Sequence, residues 1–134
     1  MNQRGFATLE VILMVIVIGI LASIAIPRFD SVTTSANTAK IRADLSTIDT
    51  AIEIYQMENG KPGSAPTFAN LAPYLKDADK IKPPKGKCYI TGEPADIADT
   101  DNYIIKEIAI REEESSVKDY RATLKDHPAG DFYK

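Results

Sequence analysis

One acid set against a long apolar run constrains this chain more than any other feature. Glu10 stands at the head of a nearly unbroken apolar stretch, Val11 to Ile26, and only the five residues Met1 to Gly5 precede Phe6. Written as a helix, Phe6 to Ile26 rises roughly 31 Å, enough to cross a bilayer core. Val, Ile, Leu, Met and Ala make up most of it, Gly19 and Ser23 are the exceptions, and Arg28 marks the water boundary. A charge at the centre of a spanning helix costs up to about 2.5–3.5 kcal/mol, so such groups normally have a partner. No basic side chain lies one helical turn from Glu10, which points to a partner on another copy of the chain.

Two simpler readings compete. A secretory signal peptide would use Val11 to Leu21 as its apolar region and Ser23-Ile24-Ala25 as its cleavage site, but it calls for a positive flank where Glu10 stands. A plain single-span anchor accounts for the length, yet for neither Glu10 nor the Gly5-Phe6 junction. For orientation, Arg4 is the only basic side chain before the span, while Arg28, Lys40 and Arg42 follow it. Basic residues alone therefore argue for the remainder inside. The small mass ahead of the span argues the other way, and we place the remainder outside the cytoplasm.

The run Gly5-Phe6-Ala7-Thr8-Leu9-Glu10 followed by the long apolar helix resembles the amino terminus of type IV pilins and of the pseudopilins of type II secretion and DNA-uptake machines. The resemblance covers about the first quarter of the chain. It implies that a membrane-embedded prepilin peptidase cuts after Gly5 and that Phe6 is methylated as the new first residue. It places the family's characteristic glutamate at Glu10, its mid-helix glycine at Gly19 and its helix-bending proline at Pro27. The residues support this on their own terms. The freed amine of Phe6 is positive, and in a stack of such helices it can meet Glu10 of a neighbour. Low dielectric strengthens that attraction, and leaving either charge unpaired is strongly unfavourable, so the pair sets axial register more than it adds stability. Pro27 removes a backbone donor and Gly19 lowers helix propensity by about 1 kcal/mol, so both weaken the helix between them. The simpler readings are that Glu10 snorkels to the headgroups, and that glycine and proline are merely common in membrane helices.

Past the membrane boundary, Ile41, Leu45, Ile48, Ile52 and Tyr55 recur at spacings of four and three, which is one face of an amphipathic helix. Asn59-Gly60 and Pro62 supply a stop. The expected organisation is a leader at 1–5, a hydrophobic membrane and filament-core helix at 6–27, its amphipathic continuation at 28–58, and a globular α+β head at 59–134. Within the head, Thr67 is expected to cap a short helix through Leu71 and Leu75, limited by Pro73. Asp77 to Lys87, with Pro83-Pro84, is a connector. Lys87 to Thr91 is a short strand ended by Gly92-Glu93-Pro94, and Tyr103 to Ile110 is the best strand. Glu112 to Ser116 reads as a solvated turn. Val117 to Leu124 fits both periods, and we take it as a strand. The expected fold class is α+β and pilin-like: a long amino-terminal helix packed on a small antiparallel sheet of three to four strands.

Composition bounds the chemistry. The 134 residues carry a formal net charge of -3, which gives no footprint for nucleic-acid binding. Cys88 is the only cysteine, so the disulfide-closed loop of many pilins is not available, and Cys88 reads as a buried strand residue. Asp96, Asp99 and Asp101, with Glu93 and Asn102 nearby, form an oxygen-rich loop. A calcium site there is the speculative reading and a solvated acidic loop the plain one; the spacing does not match an EF-hand. The calcium-loop sequence of major pseudopilins is not evident. His127 beside Pro128 reads as an exposed histidine of a terminal loop. No nucleophile motif or phosphate loop appears, so an enzyme is not expected.

The expectation is thus a structural subunit that polymerises with copies of itself, for adhesion, motility, secretion or DNA uptake. It sits in the inner membrane before assembly and in an extracellular or periplasmic filament afterwards. By resemblance, its partners are a prepilin peptidase, an inner-membrane assembly platform and a cytoplasmic ATPase, with lipid as the surroundings before assembly. The alternative is a membrane-anchored sensory or cation-binding module that does not polymerise.

Overall fold

A computed structural model describes residues 3–59, 65–108 and 119–134, apart from the side chains at 3–4 and 26–28. The expected turn at Glu112 to Ser116 and most of the loop after Gly60 lie outside the described residues. The chain divides into two compact units, one ending at Thr33 and one beginning at Thr34.

The first unit is helix alone, the opening part of α1 (Gln3–Asn59). Its apolar side chains have nothing within the unit to pack on, and Phe6 to Ile24 are exposed almost without exception. The hydroxyls on this stretch are answered locally, as a low-dielectric setting requires. Ser23 Oγ donates to the Ile20 carbonyl at 2.7 Å, and Thr33 Oγ1 to that of Phe29 at 2.9 Å. Position 27 is helical in its backbone.

In the second unit the remainder of α1 supplies one wall of the core. Ile41, Leu45 and Ile48 are fully buried and Ile52 nearly so, while Tyr55 is half-buried against the edge of Tyr74, with ring centroids 6.3 Å apart. The helix α2 (Phe68–Leu71) is shorter than expected. Thr67 and Asn70 form a reciprocal cap at its start, and the apolar side chains Leu71 and Leu75 still reach the core. The connector contains a 3-10 turn at Ala78–Lys80.

Four strands follow: β1 (Gly86–Ile90), β2 (Glu93–Ile97), β3 (Ile104–Ile108) and β4 (Asp119–Thr123). They do not join into one sheet. β1 pairs antiparallel with β2, and β3 antiparallel with β4, as two separate hairpins. The reason lies in what α1 offers to the strand edges. Asn37 Nδ2 donates to the carbonyls of Lys85 and Lys87 at 3.1 and 2.9 Å, and Tyr89 N donates to Thr38 Oγ1 at 2.8 Å. Ala122 N of β4 donates to Asp49 Oδ1 at 2.7 Å. Backbone groups that a third strand would have paired are taken by side chains of the helix.

The segment expected to end β1 instead begins β2. Thr91 and Gly92 both have positive φ, +50° and +86°, and close a two-residue hairpin of the mirror-image kind that matches strand twist. Pro94 is tolerated in β2 because a two-stranded sheet has only edges. A second such turn follows β4. Lys125 and Asp126 have φ of +52° and +67°, and Leu124 and His127 exchange two backbone hydrogen bonds of 3.0 Å across it. The final residues fold back onto the first hairpin, where Thr91 N and Gly92 N donate to the carbonyls of Asp131 and Tyr133. Phe132 is thereby buried among Leu71, Cys88, Tyr103, Tyr120, Ala122 and Leu124 in one core.

Candidate assembly surface

Gly5, Phe6 and Glu10 all lie on the first two turns of α1's apolar part. Phe6 is 68% exposed, and Glu10 is exposed at the head of a face carrying Leu13, Met14 and Val17 one and two turns on. A methyl group added at Gly5 or at Gly19 would meet nothing within 4 Å, so no packing inside the chain calls for glycine at either place. Thirteen large apolar side chains between Phe6 and Ile24 stand more than half exposed. This helix is long and apolar enough to cross a membrane. An exposed apolar surface of this extent marks a contact with lipid or with other chains.

The three aspartates of the acidic loop lie beside lysines and a backbone amide. Asp96 lies in β2 opposite Lys87. Asp99 forms an ion pair with Lys85 at 3.0 Å. Asp101 accepts from Ala98 N at 2.8 Å and pairs with Lys125 at 3.2 Å. Among the described residues, no three His, Cys, Asp or Glu side chains converge as metal ligands.

Cys88 is fully buried in β1, and desolvation pushes its thiol above the usual range. His127, expected as an exposed histidine of a terminal loop, meets a partner in the tail. Its Nδ1 lies 2.8 Å from Asp131 Oδ2 and it is half-buried, because the tight turn before it folds the tail back.

Three polar residues of α1 that periodicity passes over hold the head to the helix. Asp44 accepts from Tyr103 Oη at 2.7 Å and also meets Lys40. Burial, together with that bond, raises Tyr103 far above an ordinary phenol, so it is a permanent donor. Asp49 is half-buried, and desolvation raises its carboxyl despite the bond from Ala122. Asn37 grips β1 beside Gly86, whose φ of +106° demands glycine and whose α-carbon faces the Asn37 amide.

The chain is similar to known proteins over about half of its length. Over 60 residues the chain is 30% identical to the type II secretion system core protein G of Klebsiella michiganensis, a match covering 45% of this chain and 42% of that protein. It is 35% identical over 71 residues to the type IV narrow pilus major component PilA5 of Thermus thermophilus, covering 52% and 61% respectively. Core protein G of Escherichia coli K12 is 32% identical over 58 residues, covering 43% and 40%. About half of the chain is homologous to type II secretion pseudopilins and type IV pilins. The matches span about two fifths to three fifths of the relatives' own length. No family model matches the chain, and no solved structure matches it. The long apolar helix and small antiparallel sheets agree with a pilin-like α+β fold.

Proposed function

We propose that the chain is the structural subunit of a pilus-like or pseudopilus filament. It enters the membrane as a precursor, is cut after Gly5 by a prepilin peptidase and is methylated on Phe6. An inner-membrane platform, driven by a separate cytoplasmic ATPase, draws it into a helical polymer in the periplasm or at the cell surface. The observation that carries this reading is the Gly5-Phe6 to Glu10 register at the head of a helix whose apolar side chains are exposed on all sides. In lipid those side chains are at no disadvantage. Once subunits leave lipid, the hydrophobic effect holds the helices together, at about 1.5–3 kcal/mol for each fully buried Val, Leu, Ile or Phe side chain. Because this attraction has no direction, register must come from elsewhere, and the Phe6 amine meeting Glu10 of a neighbour supplies it. Gly5 and Gly19, with open space around them within the chain, fit a need for peptidase access and for helix flexing with Pro27.

Intact mass of the native protein tests the first step: it should lack Met1 to Gly5 and carry one extra methyl group. Glu10→Ala should insert normally and fail to polymerise. A retained leader would overturn the proposal and favour a simple anchored module; normal filaments from Glu10→Ala would overturn the pairing of the Phe6 amine with Glu10.

A further inference from the structure

A groove of about 550 Å³ runs along α1 in the second unit from Ser35 to Ser46, with Ala39 and Ala43 on its floor and Tyr89 and Tyr133 on its wall. Its volume falls within the range of about 300–1,000 Å³ usual for small-molecule sites. The wall is held in place. Phe132 is anchored in the core, and Gly92 N donates to the Tyr133 carbonyl at 3.1 Å, while the Tyr133 side chain stays half exposed.

Two cations, Arg42 and Lys134, converge on this groove, and no carboxylate side chain lines it. Lys40 has Asp44 one helical turn on, whereas Arg42 has Thr38, Ala39, Leu45 and Ser46 at the equivalent spacings. Lys134 lies over the Tyr89 ring, its ammonium 5.7 Å from the centroid. Among the described residues, neither Arg42 nor Lys134 has an ion-pair partner. The chain as a whole is acidic, with a formal net charge of -3, so this hollow reverses the sign of its surroundings.

We propose that the groove binds a carboxylated sugar, a uronic acid or a short oligomer of one. The Arg42 guanidinium matches a carboxylate as a planar fork, and the Lys134 ammonium adds a second positive charge. A pyranose ring carries C–H groups on one face and hydroxyls around its rim. The C–H face lies on the Tyr133 ring and the alanine floor, and the hydroxyls stay in water at the open side. Ser35 and Ser46 are eleven residues apart, about 16 Å along the helix, which leaves room for more than one ring. Other anions fit less well. An extended acidic peptide docks its main chain on a strand edge, and the edge of β1 beside the groove is already taken. Tyr89 N donates to Thr38 Oγ1, and the Lys87 carbonyl accepts from Asn37. Two cations are too few for a nucleic-acid backbone, whose affinity comes from many neutralised phosphates. This inference goes beyond the filament reading and does not rest on it.

The test titrates the full-length chain in detergent at low salt with trigalacturonate, following methyl and aromatic NMR signals. Saturable shifts at Ala39, Ala43, Tyr89 and Tyr133 are expected. The neutral trisaccharide of galactose should bind about tenfold more weakly, and trigalacturonate should bind Arg42→Gln and Tyr133→Ala about tenfold more weakly than the parent. Both side chains are exposed, so the two variants should keep the parent's unfolding midpoint. No saturable shift with trigalacturonate, equal binding of the neutral sugar, or binding indifferent to Arg42→Gln would overturn the proposal. Tighter binding of a glutamate tripeptide would overturn it too and assign the groove to acidic peptides. Cleavage after Gly5 and polymerisation are read separately, so each of these failures leaves the filament reading intact.

Discussion

Asp49 holds β4 to α1 at a cost that depends on pH. Its carboxylate accepts from Ala122 N, yet desolvation raises its pKa above the ordinary 3.8. The folded state therefore binds the proton more tightly than the unfolded state does. This contribution to stability is complete below pH 3.8 and is lost as pH rises through the folded value. Asp49→Asn keeps an acceptor for Ala122 and removes the charge. Denaturation midpoints of the two proteins in detergent should converge near pH 3.5, with the variant the more stable at pH 7; a lower midpoint at pH 7 would contradict this. Thr91 offers a second handle. It is a β-branched residue at φ +50°, a conformation such residues rarely adopt. Thr91→Asn creates the Asn-Gly pair preferred by this turn and should raise stability by about 1 kcal/mol, read from thermal unfolding. Neither site was legible beforehand. On a helix wheel Asp49 looks solvent-facing, and Thr91-Gly92 lacks the usual Asn-Gly or Asp-Gly signature.

Among the elements, α1 was the most readable, because a 3.6-residue period persists over many turns and averages out local exceptions. Ile41, Leu45, Ile48 and Ile52 are buried as their spacing requires. Leu45→Ala should cost about 2–5 kcal/mol, since the side chain is fully enclosed and the cavity is walled by a rigid helix. Urea unfolding of the full chain in detergent measures it, and a loss under 1 kcal/mol would show that the core collapses to fill the space. The strands were less readable because each spans only five residues. β2 escaped notice entirely, since Glu93-Pro94 reads as a breaker, and only the two-stranded pairing makes proline acceptable there. The ambiguity over Val117 to Leu124 resolves towards a strand at Asp119–Thr123, with Tyr120 and Ala122 buried and Arg121 exposed between them.

For the whole molecule, the division at Thr33 and Thr34 has an energetic consequence. Among the described residues, every member of the buried core belongs to the second unit. A polypeptide beginning at Thr34 should therefore fold with a denaturation midpoint close to that of the full chain and run as a monomer on gel filtration. A markedly lower midpoint would mean that the first unit supports the core. The amino-acid sequence by itself determined the apolar span, the acid at its head, the cleavage-like junction before Phe6 and the buried stripe of α1. These are local or periodic properties, written in consecutive residues and independent of what lies across the core. The tertiary structure alone decided that the strands form two hairpins rather than one sheet, that Lys85 and Lys125 answer the acidic loop, that His127 meets Asp131, and that a groove opens beside Arg42. Each of those depends on which backbone and side-chain groups, distant in sequence, compete for the same partner, and only the folded chain settles that competition.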